Sequence, residues 1–143
     1  MASAIYRVGV QWGDCDGARI VFYPNFFRWF DEAAWHLFAA HGIDRDALFG
    51  RFGSLGIALV DARATFRRPA RFGDLLEIES VVRRWGARSF ALAHTGRIAG
   101  EVAVEGQETR IWGIPDPANP EGLKAGAIPA EVKARIPATP APE

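Results

Sequence analysis

Residues 11–30 read QWGDCDGARIVFYPNFFRWF. The first half of this stretch carries two acids, the only cysteine and two glycines, with no regular hydrophobic period. The second half is an aromatic run that contains the pair Pro24-Asn25. Proline is favoured in the first turn of a helix, because its φ is already helical and it has no N–H to leave unsatisfied. The stretch therefore predicts a polar loop at residues 13–19, followed shortly by a helix.

That helix is predicted to run from Asn25 to about His41, since Gly42 is a favoured residue just past a helix C-terminus. Its apolar residues recur at helical spacing on one broad face: Phe26, Phe30, Ala33 and Leu37, flanked by Phe27, Ala34 and Phe38. Its polar residues form only a narrow opposite stripe: Asn25, Arg28, Glu32 and His36. A helix with so wide an apolar face must be buried over most of its circumference.

Five segments of the chain show the residue alternation of strands. They lie at residues 6–12, 58–66, 74–85, 88–98 and 101–112, and a short turn at Ala99-Gly100 joins the last two. One strand, one buried helix and then four strands in meander order predict an α+β domain. In such a domain a five-stranded antiparallel sheet packs on a long central helix.

The chain of 143 residues is predicted to form a single domain, 1–143, with an ordered core at about residues 5–112. Beyond it we expect one helical turn around Ala130–Arg135 and a solvated tail with the Pro/Ala-rich sequence IPATPAPE. No stretch of about 18 apolar residues could span a bilayer, and the N-terminus lacks the apolar run of a signal peptide. The single cysteine forms no internal disulfide. The expected localisation is cytoplasmic, with no membrane partner.

The formal net charge of zero argues against a nucleic-acid partner held by counterion release. The three histidines, His36, His41 and His94, lack the spacing of a metal site, so no metal is predicted. His94, in a predicted strand, is expected to be a packed or interface residue.

The segment GDCDGARIVFYPNFFRWFDEA, residues 13–33, resembles the signature of the 4-hydroxybenzoyl-CoA thioesterase family. The resemblance continues in RPARFGDLLEIES, residues 68–80, and RRWGARSF, residues 83–90, and so covers about residues 5–112. It implies the hotdog fold, in which a curled antiparallel sheet wraps a long central helix, and an acyl-CoA thioesterase activity. Arg19 departs from the family pattern, which usually has a glycine there. If this position needs a positive φ, Arg19 must strain or reshape the loop.

Thioester hydrolysis needs a nucleophile or base and a donor for the developing oxyanion. A carboxylate can attack the thioester carbon or activate a water, and the free N–H groups of a helix N-terminus suit an oxyanion. By position, Asp16 matches the catalytic aspartate of the family, and the backbone N–H of Tyr23 matches its oxyanion donor. Without the resemblance, an aspartate at position 16 is more typical of a turn or a helix cap.

Four other residues of this stretch are alternatives or supporting groups. Asp14 is expected to be structural and to bond the loop backbone, and Cys15 to be an inert small residue, because no histidine neighbours it. Asp31 is similar to an acid that lines the acyl pocket of aryl-thioesterase relatives, although a surface charge or an ion pair between subunits fits its position equally. Glu32 is a rival catalyst, since another hotdog branch uses a glutamate on this helix; the presence of the loop aspartate ranks it behind Asp16.

By the resemblance, residues 86–88 match a phosphate-binding stretch of the family, in which only Arg88 keeps a charge. Arg88 is therefore the best candidate for binding the phosphates of coenzyme A, followed by the neighbouring Ser89. Further arginines near the strands are candidates too: Arg67, Arg68, Arg71, Arg83 and Arg84. Solvated charges beside strands are an equally good interpretation. No cofactor is expected, since coenzyme A is part of the substrate.

The predicted function is that of an acyl-CoA thioesterase, which acts on an aryl- or fatty acyl-CoA as a homodimer or homotetramer with active sites between subunits. Two alternatives remain open. A hotdog enoyl-CoA hydratase usually carries an Asp/His pair, and residues 13–25 contain no histidine. A non-catalytic acyl-CoA-binding module would not need Asp16. The sequence identifies neither the acyl group nor the choice between a covalent and a general-base mechanism.

Overall fold

The computed structural model describes residues 2–143. Its helices and strands follow the chain in the order β1 (Ala4–Gly9), α1 (Pro24–Ala40), β2 (Gly56–Phe66), β3 (Leu75–Trp85), β4 (Ser89–Ile98), β5 (Glu101–Asp116), β6 (Asn119–Ala125) and α2 (Ala130–Arg135). Short helical turns occupy Trp12–Asp14 and Ala47–Arg51. The predicted order of one strand, one long helix and then a series of strands is confirmed.

The strands form one antiparallel sheet with the order β1-β3-β4-β5-β2. These are the five predicted strands, but the predicted meander of the last four is wrong. Strands β3, β4 and β5 are consecutive neighbours, whereas β2 pairs with β5 at the edge of the sheet, because residues 67–74 cross from that edge to the start of β3. A sixth strand, β6, was not predicted, and it pairs with the end of β5 at Gly113–Asp116. Its sequence NPEGLKA contains a proline and a glycine and is mostly exposed, so no alternating pattern marks it as a strand.

Helix α1 begins at Pro24 and ends at Ala40, one residue earlier at each end than predicted, and Gly42 follows with φ +80°. The helix lies on the sheet against β1, β3 and β4. Its buried side chains are Phe26, Trp29, Phe30, Ala33, Ala34, Leu37 and Phe38. Gly106 of β5 permits this close packing, because a Cβ at that position would lie 2.6 Å from Cε2 of Phe30. The broad apolar face therefore forms the centre of the core, as predicted.

The packed core continues past Trp112, contrary to the sequence prediction that it ends near that residue. Ile128, Val132 and Ile136 are buried in the same apolar cluster as Trp112. Val132 lies on α2, the predicted helical turn, and Ile128 and Ile136 flank that helix; together they cover apolar side chains of α1 and the sheet. The first part of the tail is also bonded, since the N–H of Thr139 donates to the carbonyl of Val82 at 2.7 Å.

The two ends of the sheet carry different connections. At one end of the sheet Leu75 of β3 pairs with Gly9, the last residue of β1, and the loop from β1 to α1 begins there. Phe66, the last residue of β2, lies near the same end. At the other end residues 86–88 connect β3 to β4, and Gly56 begins β2. We call these the helix-entry end and the turn end.

Candidate active site

Residues 13–23, the entry loop, fold back on themselves before α1. Cys15 and Val21 form an isolated antiparallel bridge. The N–H of Asp16 donates to the carbonyl of Ile20, and the N–H of Phe22 donates to the carbonyl of Asp14, both at 2.9 Å. Asp16 therefore lies on one arm of the loop, and the other arm leads directly to Tyr23 and the helix N-terminus.

The carboxylate of Asp16 is exposed at the helix-entry end. Its Oδ1 accepts a hydrogen bond from the N–H of Ala18 at 2.8 Å, which fixes a tight turn. Asp16 also lines a cavity of about 380 Å³, together with Trp12, Cys15, Gly17, Arg19, Arg71 and Phe72. The residue thus makes the turn expected of a loop aspartate and still presents its carboxylate to a cavity.

The helix N-terminus offers one free N–H group rather than several. Pro24 has no N–H, and the N–H groups of Asn25 and Phe26 donate to the carbonyls of Phe22 and Tyr23 at 3.0 and 3.1 Å. The N–H of Tyr23 donates to no acceptor within residues 2–143. Tyr23 lines a second cavity, of about 370 Å³, with residues that include Phe26 and Phe66. The one unpaired donor is thus the predicted oxyanion donor.

Arg19 has φ +65°, in the left-handed region that favours glycine. The loop therefore keeps the backbone conformation that a glycine would adopt, and Arg19 takes the strain. Its N–H donates to the carbonyl of Asp16 at 2.9 Å, which holds the turn closed.

Asp14 has the structural role predicted for it. Its Oδ2 accepts from the N–H of Gln11 at 2.8 Å, and its carbonyl accepts from the side-chain amide of Asn25 at 2.9 Å. Arg28 of α1 adds an ion pair with Oδ1 at 3.4 Å. These bonds tie the start of the entry loop to the first turns of α1.

Asp31, on the second turn of α1, has an exposed carboxylate and a buried partner. Its Oδ1 accepts from Nη2 of Arg110 at 3.0 Å, and its side chain is 56% exposed whereas that of Arg110 is 2% exposed. Arg110 also donates to the carbonyl of Ile57 on β2 at 2.7 Å. Arg110, on β5, therefore links Asp31 of α1 to the backbone of β2.

Arg110 belongs to a continuous chain of hydrogen bonds beneath α1, which we call the buried polar chain: Ser80, His94, Glu108, Arg110 and Asp31. Arg110 donates to both carboxylate oxygens of Glu108 at 3.1 and 3.0 Å. Nε2 of His94 lies 2.7 Å from Oε1 of Glu108, and Nδ1 lies 2.6 Å from the hydroxyl of Ser80. The imidazole stacks on Phe30 at a centroid distance of 4.9 Å. His94 is therefore a packed residue, as predicted.

The charges in this chain determine the ionisation of Glu108. Burial by itself raises the pKa of a carboxyl group, but the hydrogen bond and charge of His94 and those of Arg110 outweigh it, so the pKa of Glu108 lies below its ordinary value of 4.5. Glu108 is thus a buried carboxylate. Sequence reasoning missed both Glu108 and Arg110, although a period of two counted back from Trp112 along β5 places both on the inner face.

Glu32, the rival catalyst, is engaged by Tyr6 of β1. The phenol of Tyr6 donates to Oε2 of Glu32 at 2.7 Å. This hydrogen bond, together with burial and the negative charge of Glu32, raises the pKa of the Tyr6 hydroxyl above 10.0. Glu32 therefore has a structural partner that Asp16 lacks.

Arg88 and Ser89 lie at the turn end, far from Asp16 in the same chain. Arg88 is exposed, and its carbonyl accepts from the N–H of Trp112 at 3.0 Å. Strand β3 has 11 residues, and each adds about 3.3 Å, so roughly 30 Å of strand separates the two ends. One chain therefore does not bring the predicted phosphate-binding residues together with Asp16.

The described part of the chain contains neither a metal-binding cluster nor a membrane-spanning helix. Within residues 2–143 no group of three or more His, Cys, Asp or Glu side chains could hold a metal ion. No helix formed by these residues is long and apolar enough to cross a membrane.

The chain is similar to thioesterases in both sequence and structure. A family model described as the thioesterase-like superfamily matches residues 10–116. The 4-hydroxybenzoyl-CoA thioesterase of Pseudomonas sp. (strain CBS-3) is 32% identical over 129 residues, which are 85% of this chain and 89% of that protein. Its solved structure matches with a TM-score of 0.87 at 28% identity, over 94% of this chain and 99% of that chain.

A gentisyl-coenzyme A thioesterase matches with a TM-score of 0.78 at 32% identity, over 93% of this chain and 98% of that chain. These matches confirm the hotdog fold that the family resemblance of the entry loop and α1 implied. The chain belongs to the thioesterase-like superfamily and, within it, to the family of 4-hydroxybenzoyl-CoA thioesterase.

Proposed function

We propose that this thioesterase hydrolyses an aryl-CoA thioester to an aromatic carboxylic acid and free coenzyme A. One observation carries the proposal: the exposed carboxylate of Asp16 and the free N–H of Tyr23 lie on the two arms of a single short loop. The names of the 4-hydroxybenzoyl and gentisyl relatives support an aromatic acyl group. So do the rings of Trp12 and Phe72, which are largely exposed and line the cavity of Asp16. A fatty acyl group is the alternative.

Asp16 acts in one of two ways. As a nucleophile, its carboxylate attacks the thioester carbon, coenzyme A leaves as the thiolate, and water hydrolyses the resulting anhydride. As a general base, Asp16 takes a proton from a water molecule that attacks the same carbon. In both cases the thioester oxygen becomes an oxyanion, and the N–H of Tyr23 donates to it. The reaction needs no cofactor, because coenzyme A is the leaving group.

The remaining site residues bind the substrate. Arg88 is exposed and forms no ion pair within residues 2–143, so its guanidinium is free for a phosphate of coenzyme A, with Ser89 beside it. For Asp31 the proposal is a role beside the acyl group, by its similarity to the acid of the aryl-thioesterase relatives; it lines neither the cavity of Asp16 nor that of Tyr23, and Arg110 holds its carboxylate in place.

A homodimer would bring these residues together. Strand β2 lies at an edge of the sheet and exposes Leu59, Val60 and Phe66, the features of an edge that pairs with a second copy. Antiparallel pairing of two β2 strands about a two-fold axis near their middle places the turn end of one subunit against the helix-entry end of the other. Arg88 of one subunit would then serve Asp16 of its partner.

The experiment measures thiol release from benzoyl-, hydroxybenzoyl- and medium-chain acyl-CoA by the wild type and the Asp16→Asn variant. The variant keeps the shape and the bond to the N–H of Ala18 but loses the charge. We expect turnover to fall by about 10²–10⁴-fold, the typical contribution of a positioned acid or base, with acyl-CoA binding retained. Asp116→Asn is the matched control, because Asp116 makes the same bond to the N–H of Ala118 at 2.9 Å in the β5–β6 turn.

Three outcomes would contradict the proposal. Acyl-CoA binding without turnover of any thioester by the wild type would indicate a binding module. Hydration of an enoyl-CoA would indicate a hydratase. Near-native hydrolysis by Asp16→Asn would remove Asp16 from the mechanism, whereas a clear preference for medium-chain substrates would overturn only the aromatic acyl group.

The dimeric site is tested by refolding Asp16→Asn subunits together with Arg88→Ala subunits and assaying at low substrate concentration. Half of the dimers are mixed, and one of the two sites in each mixed dimer has both native residues, so activity should rise to about a quarter of the wild-type value. A mixture no more active than the average of its two parents would show that the site does not span two subunits.

A further inference from the structure

The cavity beside Asp16 has a composition that hydrolysis of a plain aryl thioester does not require. Besides Asp16 it is lined by two arginines, Arg19 and Arg71, and by two aromatic residues, Trp12 and Phe72. The rings of Trp12 and Phe72 are in edge contact, with centroids 5.8 Å apart and an interplanar angle of 88°. The cavity therefore combines an apolar wall suited to a ring with a positive charge in excess of its one carboxylate.

Both guanidinium groups are free of protein partners. Nine arginines form ion pairs with carboxylates in the described chain: Arg7, Arg28, Arg51, Arg63, Arg67, Arg68, Arg97, Arg110 and Arg135. Neither Arg19 nor Arg71 makes a side-chain hydrogen bond or ion pair to any residue of 2–143, and Asp16 does not pair with them although it lines the same cavity. Two unpaired cations at one cavity are therefore available to a ligand.

Arg19 has a strained backbone conformation. A non-glycine residue at φ +65° is strained by about 1 kcal/mol or more, and a glycine would not be. Strained residues of this kind concentrate at functional sites, so an arginine in this position suggests that its side chain has a use.

We propose that Arg19 and Arg71 form an anion subsite that binds a carboxylate carried by the aromatic acyl group of the substrate. The inference rests on the proposed function, since it takes Asp16 as the group that acts on the thioester. The ring lies against Trp12 and Phe72, and its carboxylate pairs with the two guanidinium groups, which offer fork-shaped donors to it. The phosphates of coenzyme A are the other source of negative charge. They are separated from the thioester by the whole pantetheine arm, which favours the acyl carboxylate.

The test compares meta- and para-carboxybenzoyl-CoA with the corresponding nitrobenzoyl-CoA esters, because a nitro group has the shape of a carboxylate without its charge. It uses the Arg19→Gly and Arg71→Ala variants. Each should lower kcat/KM for the carboxy substrate by roughly tenfold, the factor that 1.4 kcal/mol represents, and leave the nitro substrate within about twofold of wild type. Arg51→Gln is the control, since Arg51 pairs with Glu131 of α2 and lines no part of this cavity.

Stability distinguishes binding from a structural role. Arg19→Gly relieves the positive φ, so its thermal midpoint should equal or exceed that of the wild type while kcat/KM for the carboxy substrate falls. The same substrates made as pantetheine thioesters, which lack the nucleotide phosphates, should show the same loss on substitution.

Each contrary result has one meaning. An unchanged ratio of carboxy to nitro activity in both variants would overturn the subsite and leave the thioesterase function intact. A loss that disappears with the pantetheine thioesters would assign the two arginines to the phosphates and likewise overturn the acyl subsite. Failure of the wild type to release thiol from any substrate would instead overturn the proposed function.

Discussion

Two sets of charged residues in this protein differ in burial and in pairing. At the cavity of the entry loop, Asp16, Arg19 and Arg71 are all exposed, share one cavity and form no ion pairs with one another. Beneath α1, His94, Glu108 and Arg110 are almost fully buried and are joined by hydrogen bonds of 2.7–3.1 Å.

The physical reason for the difference is the cost of dehydration. A charge withdrawn from water is tolerated only when it is paired and hydrogen-bonded, and within residues 2–143 no buried side-chain nitrogen or oxygen lacks a partner. An exposed charge remains hydrated and can keep its donors and acceptors for a ligand. The buried polar chain is therefore expected to govern stability, and the exposed set to govern turnover.

The largest effect on stability is expected from Arg110→Met. The substitution leaves the carboxylate of Glu108 buried with only His94 as a partner and removes the donor to Asp31. Breaking a buried pair in this way costs about 3–5 kcal/mol, so the free energy of unfolding in urea should fall by that amount. Arg51→Met, which breaks an exposed pair with Glu131, should cost less than about 1 kcal/mol. Equal losses in the two variants, at one protein concentration, would contradict the distinction.

A second effect concerns pH. Because the pKa of Glu108 is lowered on folding, its ionised form stabilises the native state above the unfolded pKa, near 4.5, and this contribution is lost as the pH falls through the lower folded value. The difference in unfolding free energy between the wild type and Glu108→Gln should therefore be greatest above that pH and shrink in more acidic solution. Urea titrations from pH 3 to pH 7 measure it. A difference that stays constant over this range would show that the charge of Glu108 contributes nothing.

The smallest effect on stability is expected from Asp16→Asn, the variant with the greatest loss of turnover. The amide oxygen of asparagine can still accept from the N–H of Ala18, and the side chain is exposed. The free energy of unfolding should change by no more than about 0.5 kcal/mol. A loss above 1 kcal/mol in the same urea measurement would mean that the carboxylate mainly holds the entry loop together.

The fold was largely predictable because its signals are local. The aromatic positions of α1 recur at helical spacing, and Pro24 and Gly42 mark its two ends, so the helix was placed to within one residue. The five main strands alternate clearly. The sequence does not predict β6, because this strand is short and exposed. It does not predict the packing of α2 either, because the burial of Ile128, Val132 and Ile136 depends on apolar partners elsewhere in the chain.

The candidate site was predictable in part. Asp16 and Tyr23 lie seven residues apart on one loop, so the sequence already implied that they are neighbours. The sequence predicts a site role for Asp31. It gives no sign of the hydrogen-bond partner, Arg110, because that residue lies 79 positions away in the chain. The resemblance predicts that Arg88 binds the phosphates of coenzyme A, but it does not predict that Arg88 and Asp16 of one chain lie near opposite ends of the sheet.

The amino-acid sequence by itself determined the order of elements, the buried face of α1 and the position of an acid beside a helix N-terminus, since each follows from residues within a few turns of one another. Only the tertiary structure decided which charges are paired and which are free. Serine, histidine, glutamate and arginine from three different strands meet under α1 because the sheet registers align them. Arg19 and Arg71, separated by 52 positions along the chain, line one cavity because the loop after β2 packs against the entry loop. Long-range pairing of this kind leaves no local mark on the chain, and burial, which only the assembled fold defines, sets its energetic importance.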